Sequence, residues 1–169
     1  MVRLRQHHGC DLDLVLTGSE MGNRQHVQQT AAQLGLQDCV HFAGFVSAEE
    51  LRSLYAHAQV LVFPSLFGPD NLPPLEAFSM GCPVVAAAIA GAVEHLEAAA
   101  LLFDPLDPAD IASKIMEVLQ QPQTRAVLIE RGRALVASRT PERYVATLLA
   151  AADRFSMLRQ NWSTEFRHA

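Results

Sequence analysis

Val60-Leu-Val-Phe-Pro-Ser-Leu-Phe-Gly-Pro-Asp-Asn-Leu-Pro-Pro-Leu-Glu-Ala-Phe-Ser-Met-Gly-Cys-Pro-Val-Val-Ala-Ala87 is the stretch on which the fold turns. Its first four residues are all apolar and stop at Pro64, which cannot donate to a strand ladder. Leu72 to Met80 then reads as a helix, entered through Pro73-Pro74 and ended by Gly81. Pro83 to Ala87 forms a second apolar strand. Two strands that are apolar along their whole length and flank one helix imply a parallel β-α-β unit covered on both faces. The turn Ser65–Asn71, rich in Gly, Pro, Asp and Asn, sits where a helix N-terminus offers unpaired N–H groups and a favourable dipole to an anion.

The same alternation continues on either side. Upstream, Leu12–Leu16 reads as a strand ending at Thr17-Gly18, and a helix from Asn23 or Arg24 to Leu34 is stopped by Gly35. Cys39–Phe42 is a short strand, and Ser47-Ala48-Glu49-Glu50 is a capping box whose helix carries Leu51, Leu54 and Tyr55 on one face. Downstream, Ala90-Gly91-Ala92-Val93-Glu94 is a second loop-to-helix junction, and Ala100–Phe103 is a last strand. Asp104–Pro108 forms a turn and N-cap into a helix over Ala109–Gln120, followed by a helix over about Thr124–Ala137. Thr140-Pro141-Glu142 opens a final helix whose apolar stripe is Tyr144, Leu148, Leu149, Ala152, Phe155 and Leu158. No hairpin signal interrupts the series. The expectation is an α/β fold, a doubly wound parallel sheet of about five strands with C-terminal helices, forming one domain over residues 1–160 with a tail at 161–169.

Composition narrows the function classes. The chain has 169 residues, is 50% hydrophobic and carries a net charge of −5, which gives no support to a nucleic-acid partner. Lys114 is the sole lysine. Cys10, Cys39 and Cys82 are widely spaced with no CxxC pair, as in reduced thiols. The first residues lack the apolar core of a signal peptide, and no apolar run reaches about 20 residues. The expected location is the cytoplasm, or the periphery of its membrane face. His7, His8 and Cys10 lack a fourth ligand, and adjacent histidines point apart on a helix, so no metal is expected. Asp11 and Asp13 would suggest a phosphoacceptor pocket, but the lysine that such a pocket needs is absent from a strand end, because Lys114 lies in mid-helix.

Ligands of an open α/β sheet bind beyond the carboxyl ends of its strands. Four junctions lie on that rim: Thr17–Gly22, Gly44–Ser47, Ser65–Asn71 and Ala88–Ala92. Glu76, about one turn into its helix among Leu72, Leu75, Ala77 and Phe78, has two readings. One is a carboxylate accepting from the vicinal hydroxyls of a ribose. The other is a helix acid that faces water or favours the N-terminal dipole. The N–H groups of Asn71, Leu72 and Leu75 are available to a phosphate, whereas Pro73 and Pro74 have none.

An ordered series of motifs carries a family resemblance. It runs Thr17-Gly18, Leu34-Gly35-Leu36, Val40-His41-Phe42-Ala43-Gly44-Phe45-Val46-Ser47, Glu50-Leu51 with Tyr55, and Val62-Phe63-Pro64-Ser65. Leu72-Pro73-Pro74-Leu75-Glu76-Ala77, Gly81-Cys82-Pro83-Val84-Val85, Gly91 with Glu94, and Leu102-Phe103-Asp104-Pro105 complete it. From about Leu12 to Leu149 the chain resembles the nucleotide-sugar-binding C-terminal domain of a GT-B glycosyltransferase of the large retaining group called family 4.

The resemblance implies a nucleoside-diphosphate sugar as substrate and no cofactor. It implies that Glu76 holds the donor ribose, that the backbone of Asn71 and Leu72 cradles the diphosphate, and that Phe45 and Val46 meet the nucleobase; Gly18 lies on the same rim. Gly68 stands where the common pattern has its first glutamate, which turns attention to Asp70 or Asn71 as contacts to the sugar. The family's Arg and Lys near the first strand of this domain have no counterpart here, and Arg3 and Arg5 lie in a preceding helix. The first strand and an acceptor-binding N-terminal domain are expected to stand outside the chain. Positioning of the acceptor contributes about 7–11 kcal/mol at best, so the isolated polypeptide is expected to have little or no transferase activity. The implied partner is a separate N-terminal half, or a second copy meeting the last helix. The alternative function is a non-catalytic nucleotide-binding or protein-association module.

Overall fold

The computed structural model describes residues 1–19, 22–67 and 72–165. They form two compact units, Met1–Arg133 and Ala134–Ala169. The first unit alternates helix and strand in the order α1 (Val2–His8), β1 (Leu14–Thr17), α2 (Arg24–Gln33), β2 (Val40–Gly44), α3 (Ala48–His57), β3 (Leu61–Phe63), α4 (Leu72–Ser79), β4 (Val84–Ala87), α5 (Ala92–Leu96), β5 (Ala100–Phe103) and α6 (Pro108–Gln120). Helix α7 (Pro122–Ser138) leads into the second unit, which holds α8 (Pro141–Glu165).

Every strand pair is parallel, as apolar strands joined through helices require. The expected α/β architecture is present, with five strands among the described residues. The ladder is interrupted, however: β1 pairs with β2 in one sheet, and β3, β4 and β5 form another in that order. Among the described residues, β1 and β3 each have a hydrogen-bonded neighbour on one side only. The β1–β2 register runs from Leu14–Val40 to Leu16–Phe42 and then slips by one residue, so that Thr17 pairs with Gly44.

The main core lies over the three-stranded sheet. Val85 and Ala87 of β4 and Phe103 of β5 pack with Ala112, Ile115, Met116 and Val118 of α6, and Leu4 of α1 and Leu128 of α7 join them. All four residues of β4 are buried. Gly132 lets α7 come close to α4, since a Cβ there would lie 2.6 Å from Phe78 Cδ1. A smaller cluster of Ala31, Leu36 and Cys39 supports the two-stranded sheet, and Met1 packs against both clusters.

The helix starts follow local chemistry. At α3 the Glu50 N–H donates to Ser47 Oγ at 3.2 Å and the Ser47 N–H donates to Glu50 Oε2 at 2.7 Å, which is the expected capping box. At α6 the Asp107 carboxylate accepts from the Ala109 N–H at 2.8 Å, ahead of Pro108 in the first helical position.

In the second unit, Thr140 Oγ1 accepts from the Arg143 N–H at 3.3 Å at the start of α8. The helix runs on to Glu165, through five residues of the stretch read as a tail. Tyr144, Val145, Leu148, Leu149 and Phe155 are exposed along it. No helix among the described residues is long and apolar enough to cross a membrane.

Candidate functional site

Parallel strands bring their carboxyl ends, and the loops that follow, to one rim. At the rim of the two-stranded sheet the Gly18 N–H donates to the Gly44 carbonyl at 2.8 Å. That bond engages the Gly18 amide, and Gly18 shapes the turn after β1 with φ at +103°. Gly44, at φ +66°, turns the chain out of β2. Phe45 follows it into solvent at 86% exposure, and Val46 is half-buried. An aromatic face this open, held between a turn and the Ser47 cap, is available to stack on a planar ligand.

Beyond β3, the Ser65 hydroxyl donates to the Phe67 carbonyl at 2.7 Å, tightening the start of the connection to α4. Leu66 and Phe67 are exposed. Gly68, Asp70 and Asn71 lie outside the described residues. Leu72 begins α4 with its side chain exposed.

Glu76 sits in the second turn of α4 and is exposed, while its neighbours Ala77 and Phe78 are buried. The Tyr55 hydroxyl of α3 donates to Glu76 Oε2 at 3.2 Å. Both oxygens of a carboxylate accept, so among the described residues Oε1 and the remaining lone pair of Oε2 stay open to hydroxyl donors. Tyr55 is half-buried. Burial first, and the nearby Glu76 charge second, push its phenol up to about 12, so it stays protonated and a donor across the physiological range.

Two side chains on these elements carried no role in the sequence reading. Tyr55 was visible there as a face residue and a motif position, but its partner is 21 residues away on another helix. Arg24 opens α2 just past the β1 rim, with its guanidinium over the Phe42 ring at 5.4 Å from the centroid. Its signal was the Gly22-Asn23 turn that places it at a helix start. His41 pairs at 3.0 Å with Asp13 on the surface.

Comparisons with known proteins bear on the family and the fold. The family model described as glycosyl transferases group 1 matches residues 1–121. The MMP alpha-(1->4)-mannosyltransferase of Mycolicibacterium hassiacum is 31% identical over 137 residues, which is 79% of this chain and 32% of that protein. Among solved structures, the C-terminal domain of a glycosyl transferase group 1 family protein from Francisella tularensis superposes with a TM-score of 0.68 at 25% identity, covering 82% of this chain and 73% of that one. Anabaena Alr3699/HepE in complex with UDP and glucose shares the fold, with a TM-score of 0.75 at 24% identity over 89% of this chain and 44% of that one. The chain spans about a third of the length of the curated relatives it matches.

Proposed function

Since the chain belongs to the group 1 glycosyl transferases, we propose that its strand rim binds the nucleoside diphosphate of a sugar donor. The observation that carries this reading is the exposed Glu76 carboxylate, oriented by Tyr55 in the second turn of a helix that begins at the rim. In this reading its free lone pairs accept from the two ribose hydroxyls. The N-terminus of α4 faces the diphosphate with its dipole, and the ring of Phe45 or the backbone beside it meets the base. As part of a larger assembly the domain serves transfer of the sugar to a hydroxyl acceptor with retention. A separate N-terminal half supplies the acceptor site, and the exposed residues Tyr144, Leu148, Leu149 and Phe155 of α8 support association through that helix, with such a half or with a second copy of the chain.

Calorimetry with UDP and GDP on the wild-type chain and Glu76→Ala tests the proposal. The wild type is expected to bind at least one of them, and removal of a charged acceptor to weaken that binding about tenfold or more. Equal binding by the two proteins removes Glu76 from the site, and no binding by the wild type overturns the reading for this chain.

A further inference from the structure

We propose that Tyr55 is a positioning residue for the donor ribose, acting only through Glu76; the inference rests on the donor-site reading above and extends it. An exposed glutamate on a helix surface samples several rotamers, and fixing one of them costs side-chain entropy at the moment of binding. Here one carboxylate oxygen is already engaged at 3.2 Å by a donor on a different helix. Tyr55 is in turn well anchored, because its ring is half-buried where α3 packs on α4. The start of α3 is also pinned, by the reciprocal Ser47–Glu50 bonds.

The cap and the phenol lie on one helix, eight residues apart in sequence. Directly before the cap come Phe45 and Val46, the residues expected at the base. Helix α3 therefore braces two parts of the rim at once, the base loop at its N-terminus and the ribose acid through Tyr55. A phenol serves this purpose better than a cation would. It fixes the carboxylate with one neutral bond and leaves its negative charge available to ligand hydroxyls.

The test compares UDP with 2′,3′-dideoxy-UDP, which lacks both ribose hydroxyls, on the wild type, Tyr55→Phe, Glu76→Ala and the double variant. Tyr55→Phe keeps the half-buried ring and is expected to weaken UDP binding by roughly threefold to tenfold. It should leave dideoxy-UDP binding unchanged and add nothing in the Glu76→Ala background. Weakening of both ligands alike, or a further loss in the double variant, would mean that Tyr55 acts on packing and not through Glu76. If Glu76→Ala weakens UDP binding while Tyr55→Phe does not, the positioning role falls and the donor-site reading stands. If Glu76→Ala has no effect on UDP, the donor-site reading falls first and this inference with it.

Discussion

Strands β4 and β1 have four residues each and both lie in parallel ladders, yet they are covered very differently. Every residue of β4 is buried between β3 and β5 and under α6, whereas β1 alternates half-buried and exposed positions, with Val15 43% exposed. Parallel strands are normally buried on both faces. The three-stranded region meets that condition, and the two-stranded region, resting on the small Ala31–Leu36–Cys39 cluster, does so only in part. Cohesion of the first unit is thus concentrated in the β4–β5–α6 layer, while the donor site proposed above takes loops from both regions.

The strongest way to break this comparison is to remove an apolar group from each region. Phe103, 1% exposed in β5, lies inside the main core, and Phe103→Ala is expected to cost about 3–5 kcal/mol. Val15→Ala in β1 is expected to cost below about 1 kcal/mol, because much of its side chain already meets water. Urea unfolding of the two variants measures the difference. Equal losses would show that the two sheets share one cooperative core.

Much of the well-covered region was legible in sequence because its signals are local. Pro64, Gly81 and Pro83 punctuate β3, α4 and β4 within a few residues, and Asp107-Pro108 marks the start of α6. The capping box of α3 was equally readable, since its two partners are three residues apart. The split of the sheet was not, because strand neighbours are chosen in space, and nothing in the residues of β1 and β3 records whether a third strand lies beside them. The use of the Gly18 amide by Gly44 and the Tyr55–Glu76 bond escaped for the same reason: each joins elements far apart in sequence. Residue types alone marked Glu76 as a candidate and left its two readings open; the Tyr55 contact, which fixes one carboxylate oxygen, was not visible among them.

Helix α3 connects the two regions, running from the end of β2 to the start of β3, so weakening it sharpens the comparison. Ser47→Ala removes the cap and is expected to cost about 1 kcal/mol at neutral pH. Hydrogen exchange should speed up in the first turn of α3 and leave β4 and β5 unchanged. The effect has a pH signature. The Ser47 N–H, and then its hydroxyl, hold the Glu50 carboxyl below its ordinary value. A depressed folded-state value adds stability that is present above the unfolded value and is lost as pH falls through the folded one. The backbone N–H at position 47 still donates to Glu50 in Ser47→Ala, so the penalty should shrink in acid only by the part that the hydroxyl contributes; a penalty that stays constant down to pH 3 would mean that the Ser47 hydroxyl does not act on the Glu50 carboxyl.

The smallest expected effect lies at the other end of the same helix and has the opposite sign. Burial and the charge of Glu76 raise the Tyr55 phenol to about 12, against about 10 in the unfolded chain. A group whose folded value is raised contributes stability that is complete below the unfolded value and lost as pH climbs toward the folded one. The window is thus pH 10 to about 12, where the unfolded chain can ionise this phenol and the folded chain resists. Urea midpoints measured at pH 9 and again at pH 10.5–11 should fall further for the wild type than for Tyr55→Phe. Glu76→Gln should lie between them, because it removes the charge and leaves the burial. Identical midpoint shifts in all three proteins would place Tyr55 in water, and α3 would then join the two regions through its cap alone.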